Sequence, residues 1–168
     1  MWCKLAFVEL KEKYCILCDL SKKCNSPDLS PIGPEKADIY VLGEYPTDRE
    51  DLIGKQFSGG QSTELLKTIL NYSGIDPSKV RYYNSVNCKV ATNPTDLQIN
   101  ACREKVWNDI KKVQPKVIIA LGNSALKSLF YKSEPGILGW RGRVIPFYEF
   151  NCWVLPTFSH VKVVQDGI

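Results

Sequence analysis

The run ADIYVLG at residues 37–43 is followed without a break by GEYPTDREDLIGKQFSGG at residues 43–60. The first run is short and apolar, contains β-branched residues and ends in glycine, as is typical of a buried strand. The second run is rich in glycine and acidic residues and contains one aromatic residue, Phe57. A polar loop directly after a buried strand predicts a ligand site at the carboxyl edge of a sheet.

Strand and helix patterns alternate along the rest of the chain. Further strands are predicted at residues 80–88, 115–122 and 153–158, and helices at residues 62–74, 96–114 and 123–131. This alternation favours right-handed βαβ units and a parallel sheet that is covered on both faces. The predicted fold class is therefore α/β, a three-layer α/β/α sandwich around a central, mainly parallel four-stranded sheet. The loops at residues 43–51, 84–94, 121–125 and 156–160 then meet at one edge.

Length and charge limit the class of protein. The chain has 168 residues, 44% of them hydrophobic, which suffices for one domain with its own core. Its net charge of +4 is compatible with a local basic surface. The opening MWCKLAFVELKEKYC carries charges where a signal peptide would be apolar. We therefore predict one soluble, intracellular and cytoplasmic domain over residues 1–168, monomeric and with no membrane partner.

The chain contains seven cysteines, which in a reducing compartment favour metal ligation over disulfides. Cys15 and Cys18 form a C-x2-C pair, whose spacing lets two thiolates converge on one metal ion or one face of a cluster. For Cys3, Cys24 and Cys152, a role as small buried hydrophobic residues is an equal alternative.

Several motifs in a fixed order resemble the iron-sulfur uracil-DNA glycosylases of family 4. They are C-x2-C, a strand ending in GE-x-P-x3-ED-x2-G-x2-F, then N-x3-C, a later Cys, PKVIIALG and a final PT-x-SH, from about Cys15 to His160. The resemblance implies a uracil-DNA glycosylase-like fold and a 4Fe-4S cluster that fastens residues 1–36 onto the sheet. The implied ligands are Cys15, Cys18, Cys88 and Cys102. Zinc on the same thiolates and Cys24 as a replacement ligand are the alternatives.

The resemblance also implies hydrolysis of the bond between uracil and deoxyribose in DNA, with the target base flipped out of the duplex. Phe57 matches the residue on which the base stacks. Asn84 matches the residue that binds uracil, and an amide can donate and accept hydrogen bonds at once. Glu44 and Glu50 match carboxylates that face the cationic sugar and orient water. Gly43 belongs to the pocket turn, whose backbone amides would meet the uracil anion.

The chain also departs from the family pattern. Tyr45 stands where a small residue is usual, and it either excludes the methyl group of thymine or fills the pocket. Thr47 replaces a glycine. The final motif places Ser159 in the usual histidine position and His160 one residue later, a shift that can turn a side chain away from a site. Either His160 or the weaker donor Ser159 would then complete the substrate site.

Basic residues are candidates for binding the phosphate backbone. Arg141 and Arg143 flank glycine beside Trp140, an arrangement that suits phosphate contacts and stacking, although a solvated loop is an equal alternative. The other candidates are Lys89, Lys127, Lys132 and Lys162. We interpret Asp48, Arg49 and Asp51 as solvated loop charges.

Three functions therefore remain open from the sequence. The first is an active uracil-DNA glycosylase. The second is a catalytically inactive glycosylase fold that binds DNA or a fused or bound DNA polymerase, and the third is a redox-active iron-sulfur domain. The Lys, Asn and Ile content and the altered motifs favour a viral or phage origin, in the nucleoid or an infected host, for a domain cut from a longer replication protein.

Overall fold

The computed structural model describes Cys15, residues 18–131 and residues 134–167. Within this part of the chain the strands are β1 Ile39–Gly43, β2 Val80–Asn84, β3 Val117–Leu121, β4 Ile145–Phe147 and β5 Cys152–Thr157. They form one sheet in the order β2-β1-β3-β5-β4, in which only β4 runs antiparallel to its neighbour. The predicted α/β class and the four parallel strands are confirmed. The prediction missed β4, a three-residue edge strand with Pro146 at its centre, a residue that sheets tolerate only at an edge.

Six α-helices accompany the sheet in the described residues: α1 Asp48–Ile53, α2 Gln61–Tyr72, α3 Asp96–Val113, α4 Asn123–Phe130, α5 Ile137–Trp140 and α6 His160–Asp166. Short 3-10 turns lie at Asp19–Lys22, Pro77–Lys79 and Tyr148–Phe150. The helices α2, α3 and α4 follow the predicted bounds closely. None of the described helices combines the length and the apolar character needed to span a bilayer.

The helix α1 lies in a segment that we predicted as an open loop. Its start is fixed by a reciprocal cap, since the Thr47 hydroxyl accepts the Glu50 N–H while the Glu50 carboxylate accepts the Thr47 N–H. Thr47 therefore has a local structural role as the N-cap of α1.

Alternation along the strands sends side chains to opposite faces of the sheet. Tyr40 and Leu42 of β1 pack with Ile118 of β3 against α3 and α4. Val41, between them in sequence, points to the other face, where it packs with Leu66 of α2. The sheet is therefore the middle layer of a three-layer sandwich.

The segment before β1 is held by a buried carboxylate of α1 and by a backbone bridge to the edge strand β2. Asp51 is 1% exposed, and its carboxylate accepts both the N–H and the side-chain amide of Asn25 and the N–H of Ser26. Further along, Ile32 bridges to Tyr82. The prediction of a solvated charge at Asp51 was wrong, because this carboxylate satisfies three donors of the preceding segment.

The strand ends that follow from this topology lie side by side. Gly43 of β1 is paired with Asn84 of β2, and Leu121 of β3 is paired with Thr157 of β5. The loops after these residues therefore meet at one edge of the sheet.

Candidate functional site

Gly43 ends β1 in direct contact with two predicted site residues. A Cβ atom at this position would lie 2.2 Å from Asn84 Oδ1 and 2.9 Å from Phe57 Cζ. Only glycine lets the two side chains approach the backbone so closely. Asn84 is 2% exposed and Phe57 3%. The structure thus brings Gly43, Asn84 and Phe57 together, as the resemblance implied.

The backbone of Phe57 has φ +47°, a left-handed conformation that is uncommon for an aromatic residue. Glu50 holds it there, because Glu50 Oε1 accepts the Phe57 N–H at 2.5 Å. The other oxygen, Oε2, accepts the N–H of Thr47 at 2.8 Å and its hydroxyl at 3.1 Å. Burial raises the pKa of Glu50, while the hydrogen bonds from Thr47, Phe57 and Ser58 act in the opposite direction.

Both oxygens of Glu50 are therefore engaged with its own loop, and the residue is 4% exposed. This differs from the sugar-facing position that we predicted. In the structure Glu50 instead acts as a clamp, because its hydrogen bonds fix the loop that carries Phe57.

Glu44 follows Gly43, and its carboxylate lies against Gly122 at the end of β3. A Cβ atom on Gly122 would lie 2.4 Å from Glu44 Cδ, and Gly122 has φ +87°. Glu44 Oε1 also accepts the N–H of Ser124 at 3.2 Å, in the first turn of α4. The start of a helix favours an acidic side chain at this position. We did not predict roles for Gly122 and Ser124, and their signal in the sequence was a strand-ending glycine directly before a helix.

His160 is the first residue of α6 and lies over Phe57. The two ring centroids are 5.4 Å apart, and the ring planes are 14° from parallel. Its Nδ1 is buried and has no hydrogen-bond partner among the described residues. Burial lowers the pKa of His160 to about 4, so the imidazole is neutral at pH 7. The one-residue shift of the final motif therefore does not turn His160 away from Phe57.

Ser159, the alternative to His160, is 7% exposed and lies at the N-cap of α6. Its hydroxyl makes no capping hydrogen bond to that helix.

The ring of Phe57 is enclosed in this conformation. Tyr82 packs on it with a centroid distance of 5.2 Å and a tilt of 42°, and His160 is stacked on it as well. Since only 3% of Phe57 is accessible, another ring cannot stack on it without a rearrangement. Tyr45 packs instead against the cysteine-containing apolar cluster, and burial together with the Glu44 charge raises its pKa. The side chain that covers Phe57 is therefore His160, whereas we expected Tyr45 to line or fill the pocket.

Cysteines gather at the carboxyl end of β2, in what we call the cysteine corner (Cys15, Cys18, Cys88 and Cys102). Cys88 and Cys102 are 5% and 8% exposed within an apolar cluster, against which Cys18 and Cys24 pack. Burial raises the pKa of the Cys24 thiol, and raises that of Cys88 to about 12. Cys152, by contrast, is buried in the main core, and Cys3 lies outside the described residues.

A buried ion pair lies beside these thiols. Lys105 Nζ is 3.2 Å from Cys15 Sγ and 2.7 Å from Asp28 Oδ1, while the Asp28 N–H donates to Cys88 Sγ at 3.3 Å. In Cys15, 18–131 and 134–167, no group of three or more His, Cys, Asp or Glu side chains is arranged to hold a metal ion. The four predicted ligands thus share one corner without converging on a single point.

The predicted DNA-binding residues differ in how freely they can reach a phosphate. Arg141 and Arg143 are exposed, and the Arg141 guanidinium lies 4.5 Å from the ring centroid of Phe158, which follows β5. Lys89 forms an ion pair with Asp48.

The remaining basic candidates are distributed more widely. Lys127 is paired with Asp96 at 2.8 Å, and Lys162 is exposed on α6. Lys132 lies outside the described residues. Trp140 stacks on Phe130 with planes 6° from parallel, so it is held within the fold.

Comparison with known proteins decides the family. The sequence model of the uracil DNA glycosylase superfamily matches residues 30–165. The chain belongs to this superfamily. It is 32% identical over 144 residues to the type-4 uracil-DNA glycosylase of Saccharolobus solfataricus, covering 80% of this chain and 65% of that protein. It is 34% identical over 130 residues to the type-4 enzyme of Thermotoga maritima, covering 76% and 67%.

A third relative is of a different kind. A DNA polymerase of Bacillus phage SP01 is 34% identical over 115 residues, which are 66% of this chain and 12% of the polymerase. The chain spans about two thirds of the length of the two type-4 relatives, 65% and 67%. The predicted resemblance to the family 4 glycosylases is confirmed.

Proposed function

We propose that this chain is a uracil-DNA glycosylase, which hydrolyses the bond between uracil and deoxyribose in DNA. The observation that carries the proposal is the position of the Glu44 carboxylate. It is seated on Gly122 and bound by the Ser124 N–H, at the same sheet edge as Asn84 and Phe57. The names of the type-4 relatives support uracil in DNA as the substrate.

The charges that develop in the reaction fit these side chains. As the glycosidic bond breaks, the sugar becomes positive and the departing uracil becomes negative. The Glu44 carboxylate stabilises the positive sugar and orients the attacking water. The Asn84 amide donates to and accepts from the Watson-Crick edge of the flipped base. The neutral His160 ring, whose Nδ1 has no partner among the described residues, adds a hydrogen bond to the uracil.

Base entry requires a change around Phe57, because only 3% of its surface is accessible. In the proposed sequence of events the His160 ring leaves the Phe57 face and the flipped base takes its place. His160 is the first residue of α6, so a movement at the start of this helix suffices. Glu50 keeps Phe57 in place during this step through the hydrogen bond to its N–H.

A catalytically inactive module is the second candidate function. The enclosed Phe57 ring favours it, since a retired pocket has no need of an open stacking surface. The similarity to a segment of a phage DNA polymerase supports attachment to a polymerase in this case. The redox-active domain and the monomeric state stay predictions.

We further propose that Cys15, Cys18, Cys88 and Cys102 hold a 4Fe-4S cluster. The support is four thiols in one corner, with N–H and ammonium donors directed at two of the sulfurs, as is typical around such clusters. Zinc on the same four thiolates is the alternative occupant. When bound, the cluster supplies a structural crosslink between the segment at Cys18, the loop after β2 and α3.

DNA contacts complete the proposal. Arg141 and Arg143 are exposed, and the Arg141 guanidinium lies over the ring of Phe158, two residues before the His160 that stacks on Phe57. Phosphate contacts from these residues would position the duplex and would make binding weaken steeply with salt.

The test is release of uracil from a single-uracil oligonucleotide under single-turnover conditions. Glu44→Gln and Asn84→Ala are compared with Glu149→Gln, which alters an exposed acid away from this edge. We expect Glu44→Gln to lower the rate by about 10²–10⁴-fold, as is usual for loss of an acid-base group, and Glu149→Gln to leave it unchanged. Salt-sensitive DNA binding by the wild-type protein without any base release would instead establish the inactive module.

A further inference from the structure

We propose that Asp28 and Lys105 form a largely buried ion pair that links the two halves of the cysteine corner, and that the Lys105 ammonium group, which Asp28 holds beside Cys15, offsets the negative charge of the cluster bound there. This inference rests on the proposed 4Fe-4S cluster. It assigns Asp28 and Lys105, neither of which is a ligand, as positioning residues for the cluster.

The contacts run continuously from one end of the corner to the other. Lys105 Nζ donates to Cys15 Sγ at 3.2 Å and to Asp28 Oδ1 at 2.7 Å. The Asp28 N–H then donates to Cys88 Sγ at 3.3 Å. Asp28 has φ +54°, a left-handed conformation that presents its N–H and its carboxylate to these two partners at once. One ion pair thus connects a thiol of the N-terminal segment with a thiol of the loop after β2.

The burial of this pair is unusual for the chain. The side chains of Lys105 and Asp28 are 16% and 11% exposed. Those of the surface pair Lys112 and Glu35 are 56% and 70% exposed. Removing an ammonium group and a carboxylate from water costs several kcal/mol, which the hydrogen bonds of Lys105 to Cys15 and of Asp28 to Cys88 help to offset. The other buried pair in the described part of the chain, Arg81 with Asp109, contacts no thiol.

Lys105 lies on α3 on the same side as one of the proposed cluster ligands. It follows Cys102 by three residues, so the two side chains lie on the same face of the helix. Four thiolates and a cluster carry net negative charge, which an adjacent ammonium group offsets. Hydrogen bonds to the sulfurs and nearby charge set the reduction potential of a cluster and help to retain it.

The test uses purified, cluster-containing protein and compares Lys105→Met, Lys105→Arg and the control Lys112→Met. The readouts are the reduction potential, followed by electron paramagnetic resonance, and the rate of loss of the visible absorption in an iron chelator. We expect Lys105→Met to lower the potential and to lose the cluster about 10–100-fold faster. Lys105→Arg keeps the charge and should stay close to the wild-type protein, as should Lys112→Met.

Because Lys105→Met removes the ammonium group that faces the largely buried Asp28 carboxylate, the variant can fail to fold. The double variant Asp28→Asn with Lys105→Met removes both charges and is the second measurement; the net charge is then unchanged, and faster cluster loss is expected because the hydrogen bond to Cys15 is gone. Wild-type potential and retention in Lys105→Met, or wild-type retention in the double variant where the single one does not fold, would overturn the inference alone. Wild-type protein without iron and sulfide would overturn the proposed cofactor, and this inference with it.

Discussion

The substitution Gly122→Ala tests whether Glu44 must lie where the structure places it. The new Cβ would lie 2.4 Å from Glu44 Cδ and 2.6 and 2.7 Å from its two oxygens, where ordinary contacts begin at 3.4 Å. The carboxylate must therefore move by about 1 Å, and it must leave the Ser124 N–H to do so. A displacement of this size at a reacting group costs about 10²-fold in rate.

The matched control is Gly74→Ala. Gly74 has φ +76°, close to the φ +87° of Gly122, and no atom lies within 4 Å of its added Cβ. Both variants therefore place an alanine at positive φ, which costs about 1–2 kcal/mol in the free energy of unfolding, and Gly122, with ψ 179°, lies in a region that only glycine adopts readily, so urea unfolding of each variant separates this backbone strain from the effect on rate. Only Gly122→Ala adds the collision with Glu44, so only this variant should lose about 10²-fold in the rate of uracil release.

The assays are urea unfolding and single-turnover base release for both variants. A double-mutant cycle with Glu44→Asp sharpens the result, because the shorter side chain leaves room for the Cβ and should reduce the extra cost of Gly122→Ala. Equal rates of uracil release in Gly122→Ala and Gly74→Ala would refute the assigned role of the Glu44 position.

Three further predictions follow from single contacts. His160 has a pKa of about 4 when folded and 6.5 when unfolded, so stability should fall as the pH drops through this window, by less than about 3 kcal/mol because the side chain is partly exposed. It is the only histidine, so one imidazole resonance in a nuclear magnetic resonance titration reports it, and an apparent pKa near 6.5 would contradict the burial of its Nδ1. Glu50→Gln should cost about 1–3 kcal/mol in urea unfolding, because a donating amide replaces one acceptor oxygen of the loop; an effect no larger than that of Glu149→Gln would argue against the clamp. Arg141→Gln should weaken DNA binding at every sequence and reduce the salt slope by about 1, whereas an unchanged slope, as expected for Lys116→Gln, would remove Arg141 from the interface.

The sheet could be predicted because its strands are short apolar runs that end at glycine or a polar residue. Those patterns reflect burial on both faces, which each strand needs regardless of its neighbours. The helix α1 could not be predicted in the same way, since six residues rich in acids carry little apolar periodicity. Its signal was the spacing of Thr47 and Glu50, which fits a reciprocal cap as well as it fits a family motif.

The candidate site was predictable where it depends on the ends of neighbouring strands. Gly43 and Asn84 each end a strand, so the parallel topology alone brings them together. The positions of Glu50, Asp51 and Tyr45 depend instead on which donors and apolar groups the finished fold offers. A carboxylate in a loop has the same sequence signal whether it faces solvent, a substrate or a backbone N–H.

The short helix α1 connects the two parts of the molecule that the proposals concern. Its adjacent residues Glu50 and Asp51 are both buried, and each binds a different part of the chain. Glu50 holds Phe57 in the pocket, while Asp51 holds Asn25, which follows the cysteine at position 24 in the segment beside the cysteine corner. Loss of the cluster would free that segment, and Asp51 would then lose donors that satisfy its buried charge. Because we propose a purely structural role for the cluster, we expect iron chelation to loosen the Phe57 loop and to lower base release through the fold.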